Sequence, residues 1–418
     1  MQSLTKDPGI VEIAKEINRK TTEGRYQISD IILRRDGREY QFVDLVMEGG
    51  GTLGIALVGY IHALEQADIR FLGMGGSSVG AIVALLAYGC GARTEAKGEK
   101  LADFIGNMNL GSLVDGNFMA RRLSILLGKK ETPLHALRII LGAILSLRQI
   151  FTKLGLNPGD KLYEWISDRL SESGISTLAD LHKLTHTLPD GLTHRIKGGT
   201  ISNYDASLKI VVADVTTSTK AVFPEMAPMY WQEPDNINPA SFARASASIP
   251  VFFQPYTVYG ISDLIKGSDK WARLGSFTGA LPKRVSFADG GLLSNFPIDL
   301  FKRIGVPRAP TLGARLGNKE RVVNDAENIG QYTGNLFNAL RHYADYDFIF
   351  KNPLYKYLIT HIPTEKYHWL DFEMSESDKL GLFREGVLAG YKFLEEFNWT
   401  LHKELRAAEL EIHQIPLD

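Results

Sequence analysis

A chain of 418 residues, 44% of them hydrophobic and 23% charged, has the profile of a globular protein with enough length to bury a substantial core. Lys and Arg total 47 against 48 for Asp and Glu, so overall charge carries no sign of nucleic-acid binding; the single cysteine, Cys90, excludes an intrachain disulfide and a tetrathiolate zinc site. No basic-then-apolar leader opens the chain and no stretch of about 18 uncharged apolar residues occurs, so neither a signal peptide nor a transmembrane helix is expected. The expected location is cytoplasmic, with peripheral membrane contact or export by another route left open.

Asp7 followed by Pro8 predicts a helix over 8–20, with Asp7 as N-cap and Pro8 at the first helical position. A polar stretch follows. Tyr40 to Met47 reads as a first strand running into Glu48-Gly49-Gly50-Gly51, and Ile55 to Gln66 then carries helical spacing. Ile69 to Met74 is a second short strand ending in Gly75-Gly76-Ser77-Ser78-Val79-Gly80, after which Ala81 to Tyr88 begins another helix and Cys90 reads as a buried, inert thiol. Strand, glycine loop, helix, strand, glycine turn, helix is the opening of a parallel α/β sheet. Further strands are expected at Leu208 to Ala213, Lys283 to Ala288 and Thr311 to Ala314. From Asp325 to Leu410 helix formers dominate, with a helical apolar period over Ser375 to Phe397. The expected organisation is a helical extension over 1–38, an α/β catalytic domain over 39–320 and a helical part over 321–418 packed on it.

Three motifs carry chemistry. Gly76-Ser77-Ser78-Val79-Gly80 fits G-x-S-x-G, in which small flanking residues let a nucleophilic serine ride a tight strand-to-helix turn with its oxygen near a helix N-terminus. Gly49-Gly50-Gly51-Thr52-Leu53-Gly54 also joins strand to helix, and consecutive glycines let backbone N–H groups converge as an oxyanion hole requires. The same letters fit the dinucleotide fingerprint, but no acidic residue ends the second strand, since Asp68 precedes it. Asp289-Gly290-Gly291 follows the apolar run Val285 to Ala288, and an Asp there projects from the sheet edge where the serine turn lies. Taken singly, the first motif is also an ordinary βα turn and the third an Asp in a glycine turn.

Together these segments resemble the patatin-like phospholipase family over roughly residues 40–320. Leu208 to Thr217, Ala245-Ser-Ala-Ser-Ile-Pro250 with Phe253-Gln-Pro255, and Asp289-Gly-Gly-Leu-Leu-Ser-Asn-Phe-Pro297 are also similar to family segments. The resemblance implies a three-layer α/β/α fold with a mainly parallel central sheet and helical additions at both ends. It implies a Ser–Asp dyad, with Ser78 as nucleophile and Asp289 as base. It places the oxyanion hole at Gly49, Gly50, Gly51 and Val79, with Gly76, Gly80, Gly290 and Gly291 as supporting glycines, and it implies no cofactor or metal. The expected substrate is a phospholipid or other acyl lipid, met at a membrane surface. One departure stands out: the family usually has Arg or Lys as the fifth residue of the glycine loop, where this chain has Leu53.

Several alternatives remain at this stage. A Ser–His–Asp triad would draw on His342, His361, His368, His402 or His413, none of which lies in a recognisable loop motif. His182 and His186, with His194 nearby, have metal-ligand spacing without a supporting carboxylate motif. The same acyl-enzyme would also serve an acyltransferase, and a degenerate site would leave a lipid-binding protein. Residues 117–156 surround apolar runs with Arg121, Arg122, Lys129, Lys130, Arg138, Arg148 and Lys153 against Glu131 alone, a local charge of +6. That pattern suits a lid or interfacial helix, with Arg121, Arg122, Lys129 and Lys130 as candidate membrane contacts, and equally a buried helix pair.

Overall fold

The first helix, α1 (Pro8–Thr22), starts where its cap places it: the Asp7 carboxylate accepts from the Gly9 and Ile10 N–H groups at 3.0 and 3.3 Å, and Pro8 needs no partner there. The computed structural model describes residues 3–127, 150–185, 187–261, 268–317, 325–327 and 329–412. The strands, in chain order, are β1 (Ile31–Arg35), β2 (Arg38–Met47), β3 (Ile69–Ser77), β4 (Gly155–Asn157), β5 (Thr193–His194) and β6 (Leu208–Asp214). They continue with β7 (Thr219–Phe223), β8 (Val251–Phe253), β9 (Tyr256–Tyr259), β10 (Arg284–Ala288), β11 (Thr311–Leu316) and β12 (Ile359–Ile362).

The main sheet runs β12-β11-β2-β3-β6-β10-β9. Every pairing from β12 to β6 is parallel, while β10 and β9 run antiparallel at one edge and β7 folds back on β6. β2 is the middle one of the five parallel strands, and its alternation explains why Phe42 to Met47 are apolar apart from Asp44. Val43, Leu45 and Met47 enter the main core, while Phe42 and Val46 join smaller clusters with Leu72 and Tyr204 and with Phe296, Phe301 and Ile349. Both faces are therefore covered, as a parallel sheet requires. Helices α2 (Gly54–Gln66) and α3 (Val79–Gly89) cover the first face together with Glu376–Glu396. That last helix lies so close to α2 that a Cβ on Gly386 would sit 1.9 Å from the Ala56 carbonyl oxygen.

The polar stretch after α1 holds β1, which forms an antiparallel hairpin with β2. Its turn, Asp36-Gly37, has φ angles of 53° and 75°, the left-handed conformation that an Asp-Gly pair adopts in tight hairpins. The terminal additions are helical in part, and each also lends the sheet one strand, β1 and β12. Helix α4 (Gly98–Gly106) packs on α2, and α5 (Phe118–Leu127) buries Ala120 and Leu123 against Leu156 of β4. Among the described residues no helix is long and apolar enough to cross a membrane.

Candidate active site

Ser78 sits between β3 and α3 with φ 52° and ψ −123°, a conformation costly for a residue with a Cβ. Its neighbours make the turn possible. A Cβ on Gly76 would lie 2.5 Å from the Met47 carbonyl oxygen, and one on Gly80 would lie 2.3 Å from the same atom. The Ser78 N–H donates to Ser246 Oγ at 2.8 Å, and that hydroxyl donates onward to the Val211 carbonyl at 2.6 Å. The strained turn is thus tied to β6 through one buried side chain.

Asp289 follows β10, which pairs antiparallel with β6, with Ala288 opposite Ala213 at the edge where the serine turn lies. The strand enters from beyond that edge and descends, which brings Asp289 level with the serine turn. Ser78 Oγ donates to Asp289 Oδ2 at 2.6 Å, in the range of a charge-assisted O–H···O bond. Asp289 Oδ1 accepts the Gly291 N–H at 2.8 Å, and the Asp289 N–H donates to the Ser248 carbonyl at 2.9 Å. Ser78 is 3% exposed and Asp289 5%. Burial pushes the Asp289 carboxyl above its ordinary value, opposed by the Arg341 guanidinium and by the hydrogen bonds from Ser78 and Gly291. Gly290 is pinned by proximity, since a Cβ there would meet the Val211 carbonyl oxygen at 2.0 Å.

The glycine loop lies across from this pair. Its first member does not act as an oxyanion donor: the Gly49 N–H donates to the Asn295 carbonyl at 3.0 Å, a correction to the expected donor set. The N–H groups of Gly50, Gly51 and Val79 have no acceptor among the described residues. Val79 opens α3, where the helix dipole adds to its donor strength. Gly51 has φ 54° and lies beneath Trp369, whose carbonyl oxygen would be 2.1 Å from a Cβ there and accepts the Thr52 N–H at 2.9 Å. Glu48 anchors the loop from behind. It is buried, ion-paired with Arg315 at 3.3 Å, and accepts from the Leu316 N–H and from Asn295 Nδ2 at 2.7 and 3.2 Å. Leu53 is buried and apolar, so the loop has no cation of its own.

A cavity of about 630 Å³ opens beside Ser78, Val79 and Gly51. Its walls are almost wholly apolar, among them Ile82, Ile105, Leu110, Leu113, Trp165 and Phe253.

The remaining candidates lie elsewhere. His342 stands 4.0 Å from Glu48, and burial with Arg315 and Arg341 nearby lowers its pKa to about 4. His402 lies in a separate cavity with Phe301 and Arg406, His368 lends its carbonyl to Thr52 Oγ1 at 3.3 Å, and His361 is on β12. His413 is outside the described residues, and the group that receives the Ser78 hydroxyl is a carboxylate, not an imidazole. His182 faces Asp235 at 3.7 Å, while His194 Nδ1 accepts from the Ile196 and Lys197 N–H groups of its own turn; His186 is outside the described residues. Arg121 and Arg122 are exposed on α5, and Lys129 and Lys130 lie outside the described residues. Cys90 is buried, as its sequence setting implies.

Four contributors escaped the sequence reading. Ser246, Ser248 and Asn295 stood inside the quoted motif segments, but nothing there distinguished them from neighbouring small polar residues. Arg341, on the helix Ile329–Lys351, had no motif at all, yet its Nη2 donates to Asn295 Oδ1 at 2.5 Å.

The chain is similar to several known proteins. The structure is similar to VipD from Legionella pneumophila at a TM-score of 0.37 and 15% identity, over 91% of this chain and 70% of that one. It is similar to the ExoU–SpcU complex of the type III secretion system of Pseudomonas aeruginosa at a TM-score of 0.33 and 16% identity, over 93% of this chain and 63% of that one. In sequence, the uncharacterized protein YqhO of Bacillus subtilis (strain 168) is 29% identical over 368 residues, 86% of this chain and 99% of that protein. The family model for patatin-like phospholipases matches residues 45–302, a span holding the glycine loop, the serine turn and the Asp-Gly-Gly segment. With well over half of its length matched by that model, the chain belongs to the patatin-like phospholipase family.

Proposed function

We propose that this protein hydrolyses fatty-acyl esters of phospholipids or lysophospholipids, with Ser78 as nucleophile and Asp289 as general base. Family membership supports lipid hydrolysis in general. The observation that carries the finer reading is the 2.6 Å contact between Ser78 Oγ and Asp289 Oδ2 beside an apolar cavity. Asp289 takes the hydroxyl proton as Ser78 Oγ attacks the ester carbonyl. The N–H groups of Gly50, Gly51 and Val79 are the donors available to the tetrahedral oxyanion. Asp289 returns the proton to the departing alcohol as the ester C–O bond breaks and the acyl-enzyme remains. Water then adds to the acyl carbonyl, giving one proton to Asp289, and the fatty acid leaves as that proton returns to Ser78. An ordinary aspartate, with a pKa of about 3.9, is a weak base for an alcohol, so the burial that raises Asp289 favours this role.

Two exposed apolar surfaces are available to a lipid aggregate. On and near α5, Phe118, Met119, Phe151 and Leu154 stand out beside Arg121, Arg122 and Lys153. On the helix Ile329–Lys351, Tyr332, Leu336, Leu340 and Tyr343 are exposed at helical spacing. The first combines apolar anchors with positive charge, the chemistry an anionic membrane surface takes.

The test is fatty-acid release from mixed phospholipid vesicles by wild type, Ser78→Ala and Asp289→Asn, each checked for native folding. Release by wild type and loss in both variants is the expected result. Release that persists in Ser78→Ala overturns the reading. Acyl transfer to an added alcohol, measured in the same reactions, separates hydrolase from transferase.

A further inference from the structure

We infer that Arg341 is a positioning residue of this site: its guanidinium supplies the positive charge that the glycine loop lacks, and it fixes Asn295 between that loop and Asp289. The inference rests on the reading of Asp289 as the base.

The geometry is a chain of short contacts. Arg341 Nη2 donates to Asn295 Oδ1 at 2.5 Å, and Asn295 Nδ2 donates to the Gly49 carbonyl and to Glu48 Oε1, both at 3.2 Å. The Asn295 carbonyl holds the Gly49 N–H. One asparagine therefore secures the loop with its backbone and amide nitrogen, while its side-chain oxygen is oriented by the arginine. On the other flank, the guanidinium carbon lies 5.9 Å from the centre of the Trp369 ring, and the Trp369 carbonyl holds the Thr52 N–H above Gly51. The position of an added Cβ on Gly291 is 2.8 Å from Asp289 Oδ1 and 3.1 Å from Arg341 Nη2. Cation and carboxylate oxygen are thus within about 6 Å of each other, the range in which an opposite charge favours ionisation.

Other charged groups around the site have partners or surroundings of their own. Glu48 and Arg315 pair behind the loop, Asp345 accepts from Ser294 Oγ and the Phe296 N–H, each at 2.7 Å, and burial keeps His342 neutral near pH 7. Arg341 is the cation that opposes the burial of Asp289. A base needs enough burial to be strong and enough compensation to lose its proton at working pH. Burial supplies the first here and Arg341 the second. Leu53, apolar and buried, brings no charge to the loop itself.

The experiment follows the ionisation of Asp289 in the full-length protein by carboxyl NMR of isotope-labelled aspartate, with the signal identified by its loss in Asp289→Asn. Wild type, Arg341→Met, Arg341→Gln and Arg341→Lys are compared, each with its circular dichroism. Removing the charge is expected to move the Asp289 midpoint upward by about 1–3 pH units, whereas Arg341→Lys retains most of the wild-type value. The acid limb of Ser78 labelling by a fluorophosphonate shifts in the same direction, so that below the new midpoint labelling falls about 10- to 1,000-fold. A folded Arg341→Met or Arg341→Gln protein whose midpoint coincides with wild type overturns the proposal. So does a labelling rate that falls equally at every pH, because that is the mark of a merely structural role. If Ser78→Ala still takes the label, the dyad reading fails instead, and the titration continues to report on Arg341 separately.

Discussion

Replacing Asp289 with Asn separates what this carboxylate does for chemistry from what it costs the fold. Asn is nearly isosteric: its Oδ1 can still accept the Gly291 N–H, and its amide nitrogen then faces Ser78 Oγ across the 2.6 Å contact. It cannot accept the serine proton. Loss of a positioned general base is worth about 100- to 10,000-fold in rate, which raises the barrier by about 2.7–5.4 kcal/mol. Stability moves the other way. Burial raises the Asp289 pKa in the folded state, so the folded protein binds this proton more tightly than the unfolded chain does. That contribution is fully present below the unfolded carboxylate pKa of about 3.9 and is lost as pH rises through the folded value. Asp289→Asn, a neutral side chain at every pH, is therefore expected to be more stable than wild type at pH 8. The gain shrinks on acidification and vanishes below about pH 3.9. Fatty-acid release at pH 8 and guanidinium unfolding from pH 4 to 9 measure the two effects. A variant within tenfold of wild-type activity refutes the base role. A variant less stable than wild type by more than about 1 kcal/mol at pH 8 refutes the desolvation argument.

Other perturbations test the supports of the site. Ser246→Ala removes the acceptor of the Ser78 N–H and should cost about 1–3 kcal/mol, read as a lower denaturant midpoint at unchanged slope, together with slower turnover; a change under about 0.5 kcal/mol would show that the tether is dispensable. Ile82→Trp fills the cavity one helical turn beyond Ser78 and should lower kcat/KM for a palmitoyl ester at least tenfold relative to a butyryl ester, whereas an unchanged ratio would place the acyl chain elsewhere. Reversing Arg121 and Arg122 to Glu should weaken co-sedimentation with phosphatidylserine vesicles by about 1 kcal/mol per residue or more; undiminished binding removes α5 from the membrane surface.

Much of the site was legible before any coordinates because its requirements are local. Gly76 and Gly80 pack within 2.5 Å of a carbonyl oxygen once a Cβ is added, so the turn that lifts Ser78 must be written in glycines next to it. The same holds for the Asp7-Pro8 start of α1. The Asp36-Gly37 hairpin was also written in the chain, but the polar residues around it masked β1. β12 had no comparable signal: four residues in a region rich in helix formers become a strand because the edge of β11 is there to pair with them.

The sequence by itself located the serine turn, the Asp-Gly-Gly segment and the glycine loop, because each depends on steric demands reaching no further than a few residues. Tertiary structure decided which of those groups are available and what surrounds them. It turned β10 against the parallel set, so that Asp289 meets Ser78 from the far side. It gave the Gly49 N–H to the Asn295 carbonyl, leaving Gly50, Gly51 and Val79 as the donors without an acceptor among the described residues. It brought Arg341 and Trp369 to the loop from helices and turns that carry no motif. A motif records what the backbone must do at one place, whereas the charge and hydrogen bonds a group receives come from whichever distant segments pack against it.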